Sequence, residues 1–200
     1  CALPIYILES AKAAHRLGIR KIVVHSGSCS KMTREEATSL AKDTLTRAQK
    51  ALEDAGLSDI IICPETMGKI NQLGTLSEVM ELCGVDERFL PTVDFGHLNA
   101  RTLGGIKSGA DYAAILDEIE DKLGYERLKR FHVHFSKIMY TTGGEKMHLT
   151  FGDTKYGPQY EPLMEQFAKR GLEPSVVCES AGTQAEDAAE MKKYYEGLIK

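Results

Sequence analysis

The histidines and carboxylates of this chain recur at the ends of apolar runs. His25 follows KIVV, Glu65 follows DIIICP, and Asp94 closes FLPTVD with His97 three residues on. His132 and His134 lie in FHVHF, His148 stands in the long stretch after it, and Glu179 follows PSVVC. Of the six histidines only His15 lies outside this set. Imidazole nitrogen and carboxylate oxygen together suit zinc, and manganese as well. Carboxylates gathered without a cation would repel and raise one another's pKa, whereas a divalent ion makes their proximity favourable. Taken singly, a histidine at a strand end reads as a hydrogen-bonded structural residue and a glutamate there as a helix cap. Recurrence over five runs points instead to a metal centre. His132 and His134 share strand parity, and one ligand suffices. The reading takes His132 as the ligand and His134 as a supporting or packing residue.

The elements that must position these residues alternate regularly. Helices are expected over 6–17, 33–55, 76–83, 111–123, 158–169 and 184–198, and strands over 21–25, 59–65, 89–94, 131–135 and 174–179. The second helix opens with Thr33 and Glu36 in capping-box spacing, carries a stripe of Leu40, Ala41, Leu45, Ala48 and Leu52, and is followed by Gly56. Continuously apolar strands between helices belong to a parallel sheet covered by helices. Two α/β architectures fit: an open doubly wound sheet, or part of a (β/α)8 TIM barrel. In either, the C-terminal ends of the strands open on one face, where ligands bind. No GxGxxG follows the first strand and no phosphate-binding P-loop sequence occurs, so nucleotide binding has no support. The segment 138–157 carries Gly143, Gly144, His148 and Gly152, and its length points to function or mobility rather than mere connection.

Composition narrows the class. Hydrophobic residues at 42% and charged residues at 27% are globular values, which exclude a disordered or fibrous chain. Lys+Arg 25 against Asp+Glu 29 leaves a formal charge of −4, which excludes a generally basic nucleic-acid coat. Lys69, Arg101, Lys107, Lys137 and Lys155 nevertheless fall in the strand-end loops, where they would make a locally positive mouth suited to phosphate. Cys1, Cys29, Cys63, Cys83 and Cys178 lie far apart with no CxxC pair, which reads as reduced thiols and a cytoplasmic setting. No apolar run approaches the roughly 20 residues of a membrane helix. The opening Cys-Ala-Leu-Pro-Ile matches the translation of a common sequencing-adapter end. Residues 1–5 are therefore expected to be non-native, and residues 6–200 the C-terminal part of a single domain.

With these motifs in hand, the chain resembles the endonuclease IV family within the xylose-isomerase-like TIM barrels, from about Tyr6 to its C-terminus. The resemblance implies an incomplete (β/α)8 barrel with about the last five βα units present. His25 in VVHSG corresponds to the family's His-Pro-Gly histidine, with Ser26 in place of proline. Glu65 corresponds to the glutamate that bridges two metals, and Asp94 and His97 to the Asp-x-x-His pair. His132 corresponds to the histidine of His-Leu-Asn-Asp-Ser-Lys; Ser136 and Lys137 are kept, and His134 and Phe135 replace the Asn-Asp. His148 corresponds to the histidine of Asp-Arg-His, and Glu179 to the glutamate of Glu-Thr-Pro. The aspartate of Asp-Arg-His is Lys146 here, which cannot ligate a cation; Glu145 would substitute only if the backbone shifts.

The resemblance implies a zinc-dependent phosphodiester hydrolase that cleaves DNA at abasic sites. Two zinc ions would share Glu65, with a third left open by Lys146. Glu65 and Glu179 would be catalytic, and Arg101 and Lys137 would hold backbone phosphates. A one-metal sugar or sugar-phosphate isomerase or epimerase shares the Glu65, Asp94, His132 and Glu179 core, but leaves His25, His97 and His148 surplus. A degenerate barrel acting as a binding or structural protein is the third reading, and Lys146 is its support. The protein is expected to be a monomer. Because five strands cannot close a barrel, the 200-residue chain alone is expected to be poorly stable and inactive.

Overall fold

A computed structural model describes residues 3–199 of the chain. Of the segment expected to be non-native, residues 1 and 2 lie outside the described residues, and Cys1 with them. The order is α1 (Leu3–Arg16), β1 (Lys21–Val24), α2 (Arg34–Asp54), β2 (Ile61–Pro64), α3 (Leu76–Cys83), β3 (Thr92–Asp94), α4 (Phe95–Arg101), α5 (Gly109–Leu123), α6 (Tyr125–Lys129), β4 (His132–Phe135), β5 (Lys137–Thr141), β6 (Gly144–Leu149), α7 (Glu161–Arg170), β7 (Ser175–Cys178) and α8 (Gln184–Leu198). The strands begin later than their apolar runs where proline intervenes. β3 starts after Pro91 and β7 after Pro174, because a ring nitrogen has no proton for the ladder.

Five parallel strands follow one another in space as they do in sequence. β1 pairs with β2, β3 with β4, and β4 with β7. The parallel bridge Glu65–Thr92 joins the two groups, and the Thr66 amide donates 3.0 Å to the Thr92 carbonyl. Each new strand lies beside its predecessor, which is the winding of a barrel and not of a doubly wound sheet. The sheet is not closed: β1 and β7 each pair on one side only among the described residues. Val23, Val176 and Val177 are correspondingly exposed on these edge strands. Lys21 of β1 reaches from one edge toward the other, donating 3.0 Å to the Ser175 hydroxyl of β7 and 3.0 Å to the Arg130 carbonyl.

Helix ends are set by local chemistry. Thr33 and Glu36 close a capping box on α2, and Thr75 and Glu78 another on α3. The apolar face of α2 packs inward through Ala37, Ala41, Leu45, Ala48 and Leu52. Leu40, expected on that stripe, is 55% exposed, because it lies on the far flank of the helix from Leu45. The core between helices and sheet is filled by Phe89, Phe131, Phe135 and Phe167 among others, all fully buried or nearly so.

The segment 138–157 is not a featureless loop. β5 and β6 form an antiparallel hairpin with a two-residue turn, Thr142–Gly143. The sequence conceals it because the hairpin is half-buried and its alternation is broken by an irregularity. α4 was also not expected. It follows β3 directly, with Asp94 as N-cap accepting from the His97 amide at 2.8 Å.

Truncation separates the two faces of α2. Leu52→Ala, at a fully buried position, is expected to destabilise by about 2–5 kcal/mol. Leu40→Ala is expected to stay within about 0.5 kcal/mol. Urea denaturation followed by circular dichroism measures both, and similar losses for the two would contradict this packing.

Candidate metal centre

The C-terminal ends of the five parallel strands converge on Glu65, which is buried. Its two oxygens face different histidines. Oε1 accepts from His134 Nδ1 at 2.9 Å, while Oε2 lies 2.8 Å from His25 Nε2. Burial alone would raise the Glu65 carboxyl; the hydrogen bonds from His134 and His25 outweigh it and hold the group at about 2. His25 is raised in turn, first by its bond to Glu65. His134 is raised despite burial, through Glu65, Glu179 and Asp94. Glu179 approaches His134 Nδ1 at 3.2 Å through Oε1, and burial pushes its carboxyl up.

One ligand atom from each of Glu65, Asp94, His134 and Glu179 lies within 4.8 Å of the others. Three carboxylates at that range, with an effective dielectric of about 20, repel by about 3 kcal/mol per pair. Asp94 adds a second anomaly. Its Oδ1 caps α4, but its Oδ2 is buried with no hydrogen-bond partner. A buried, unpartnered carboxylate oxygen beside two further carboxylates and an imidazole is the donor set of a divalent cation. These residues therefore fit a metal ion, which Glu65, Asp94, His134 and Glu179 would hold, with His25 on the other oxygen of Glu65.

The rest of the rim is built outward from this group. His97 is buried; burial opposes its charge, and Asp94, Glu65 and Glu145 nonetheless raise it. Its Nδ1 donates to the Thr66 carbonyl at 2.9 Å. His148, on β6, has Nδ1 2.8 Å from the buried Ser136 hydroxyl. His97, His148 and Glu179 also bring one ligand atom each within 4.8 Å.

Residues 6–197 match the family profile described as Xylose isomerase-like TIM barrel. The chain belongs to the xylose isomerase-like TIM barrel family. Among its relatives, the uncharacterized protein MJ0133 of Methanocaldococcus jannaschii is 31% identical over 190 residues, covering 95% of this chain and 68% of that protein. A probable endonuclease 4 of Mycoplasma pneumoniae is 30% identical over 172 residues, covering 82% of this chain and 54% of that protein. The solved structure of a 3-keto-D-glucoside 4-epimerase from E. coli superposes with a TM-score of 0.59 at 16% identity, covering 98% of this chain and 69% of that one. The chain thus spans between about half and two thirds of the length of these proteins.

Within this barrel, three of the expected site residues take different places. His132 is not the histidine that meets the carboxylates. In the sheet register His134 lies level with Asp94, whereas His132 lies level with Thr92, one layer deeper. His134, not His132, brings its Nδ1 to Glu65 at 2.9 Å and to Glu179 at 3.2 Å. Spacing from Ser136 and Lys137 points to His132, whereas the contacts with Glu65 and Glu179 point to His134. His132 instead sits buried with Nδ1 unpartnered, and burial, His134 and Lys21 lower it to about 4. Arg101 and Lys137 are not free to hold phosphate. Arg101 donates to the carbonyls of Met67, Lys69, Ile70 and Gln72 and so ties down the loop after Glu65. Lys137 is buried and donates 2.7 Å and 2.6 Å to the Phe151 and Asp153 carbonyls.

The remaining expectations concern the surroundings. Cys29, Cys63, Cys83 and Cys178 are free thiols, and burial pushes Cys63 to about 12 and Cys178 to about 11. Among the described residues no helix is long and apolar enough to cross a membrane.

The depressed His132 has a signed consequence. Its folded value near 4 lies below the ordinary 6.5, so the neutral form favours folding. That stability is complete above about pH 6.5 and is lost as pH falls through 4. Metal-free His132→Gln is therefore expected to unfold at a lower pH than the parent in an acid titration followed by circular dichroism. An unchanged or higher midpoint would contradict the assignment.

Proposed function

We propose that this protein is a metal-dependent phosphodiester hydrolase of the endonuclease IV type, using zinc and acting on DNA at abasic sites. The observation that carries the reading is the two-sided use of Glu65. One oxygen faces His134, Asp94 and Glu179, and the other faces His25. A carboxylate with donors on both sides suits two neighbouring ions, and paired ions about 3.5–4 Å apart are the usual apparatus for in-line displacement at phosphorus. The 30% identity to a probable endonuclease 4 supports the same direction.

Divalent ions in this rim would supply Lewis acidity toward phosphate oxygens and activation of water. The chain's own residues do the rest. Glu65 spans the two positions. Asp94 and Glu179 neutralise charge, and Asp94 is fixed by its capping bond to α4. His25, 62% exposed at its side chain, is open to an incoming phosphate. An abasic nucleotide has lost its pairing partner, so turning it toward the rim costs less than extruding a paired one. With Arg101 and Lys137 committed to backbone carbonyls, Lys69, Lys107 and Lys155 remain among the strand-end loops to meet the DNA backbone.

A second reading, a one-metal sugar isomerase or epimerase, draws on the fold shared with the E. coli epimerase. Glu65 and Glu179 both approach His134 Nδ1, as two carboxylates flanking one substrate would. It leaves His25 without a task.

The test is a nicking assay on a duplex with one abasic site, using the longest reading frame that carries this sequence. Cleavage is expected with zinc, should stop on chelation, and should return on readdition. Glu65→Gln is expected to lose more than the roughly 10–100-fold typical of an outer partner of a metal ligand. Ketose interconversion with one ion per chain and no nicking would replace the hydrolase reading by the second.

A further inference from the structure

We propose that Thr66 is the positioning residue of this metal centre, setting Glu65, Asp94 and His97 relative to one another before an ion binds. The proposal rests on the metal centre described above and is independent of the substrate. Thr66 stands just past the end of β2 and is fully buried. Its hydroxyl, its amide and its carbonyl are each bonded to a different part of the rim, so it acts through the residues it holds.

The need for it arises where the sheet ladder stops. β2 and β3 are joined by the single parallel bridge Glu65–Thr92, and β3 gives way at once to α4. Beyond the bridge a side chain continues the pairing. The Asp94 amide donates to Thr66 Oγ1 at 2.9 Å, and Thr66 Oγ1 donates to the Asp94 carbonyl at 3.3 Å. A hydroxyl can serve both because it is donor and acceptor at once. With its backbone met by Thr66 and its Oδ1 accepting from the His97 amide, Asp94 has only Oδ2 to offer an ion.

The peptide groups of Thr66 hold the other two residues. Its carbonyl accepts from His97 Nδ1 at 2.9 Å, which fixes the ring nitrogen that carries the proton. Its amide donates 3.0 Å to the Thr92 carbonyl, while the Glu65 amide donates 3.1 Å to the Val24 carbonyl. Glu65 is thereby tied to β1 on one side and to β3 on the other. Valine has the shape of threonine without the hydroxyl, and in its place two buried backbone groups of Asp94 would lose a partner. Thr92 supplies the control. It is equally buried, but its hydroxyl is spent on the Cys63 carbonyl at 3.4 Å.

Zinc affinity from equilibrium dialysis with elemental analysis tests the proposal, with thermal unfolding of the metal-free proteins beside it. Thr66→Val is expected to weaken zinc binding at least about tenfold. Thr66→Ser, which keeps the hydroxyl, should bind as the parent does. Thr92→Val is expected to lower the unfolding midpoint, as Thr66→Val does, and to leave zinc affinity unchanged. In the unmodified metal-free protein, 15N imidazole NMR should find neutral His97 protonated at Nδ1, and the Thr66 hydroxyl proton should exchange slowly with water. Those two readouts need no variant to fold. Parent-like binding in Thr66→Val, equal weakening in Thr92→Val, no recovery in Thr66→Ser, a His97 protonated at Nε2 or a freely exchanging Thr66 hydroxyl would overturn the proposal. A parent that retains no zinc would sink the metal centre and this proposal with it. Zinc affinities in the expected order without nicking would support Thr66 and sink only the hydrolase reading.

Discussion

Everything at the open end of this sheet depends on the cost of keeping carboxylates together out of water. Glu65, Asp94 and Glu179 arrive from three different strands, and their oxygens share a space a few ångströms across. Imidazoles offset part of the repulsion: His134 and His25 hold Glu65 ionised although burial opposes it. They do not offset all of it, since Asp94 retains a buried oxygen without a hydrogen-bond partner. A divalent cation would complete the balance at the strand ends.

The scaffold is correspondingly indirect. Arg101 spends its guanidinium on four carbonyls of the loop that follows Glu65, which fixes the backbone from which Glu65 and Gly68 project. Lys137 does the same for the segment after β6. Residues that read as phosphate holders because they are cations near strand ends prove to be supports, since a buried carbonyl without a donor is costly. The positive charge of the mouth then rests with the lysines that remain on its loops.

Much of this was legible from residue order. Thr33 and Glu36 announced the start of α2, Gly124 and Gly171 marked the ends of α5 and α7, and short apolar runs between them implied parallel strands. The convergence of His25, Glu65, Asp94 and Glu179 follows from strand polarity alone. Depth within the sheet did not. His132 and His134 have the same parity, and only the contacts of His134 with Glu65 and Glu179 distinguish them. The β5–β6 hairpin was hidden for a related reason: its bulge breaks the period-two pattern by which a strand is recognised, and the same bulge places Glu145 and His148 on one face.

The central claim is that a divalent ion is held at this rim by nitrogen and oxygen alone. X-ray absorption spectroscopy of the zinc-loaded protein reads the coordination shell directly. The account predicts nitrogen and oxygen neighbours at about 2.0–2.2 Å with the outer scattering of imidazole rings, and no sulfur near 2.3 Å. A shell containing thiolate, or zinc that is not retained at all, would contradict it.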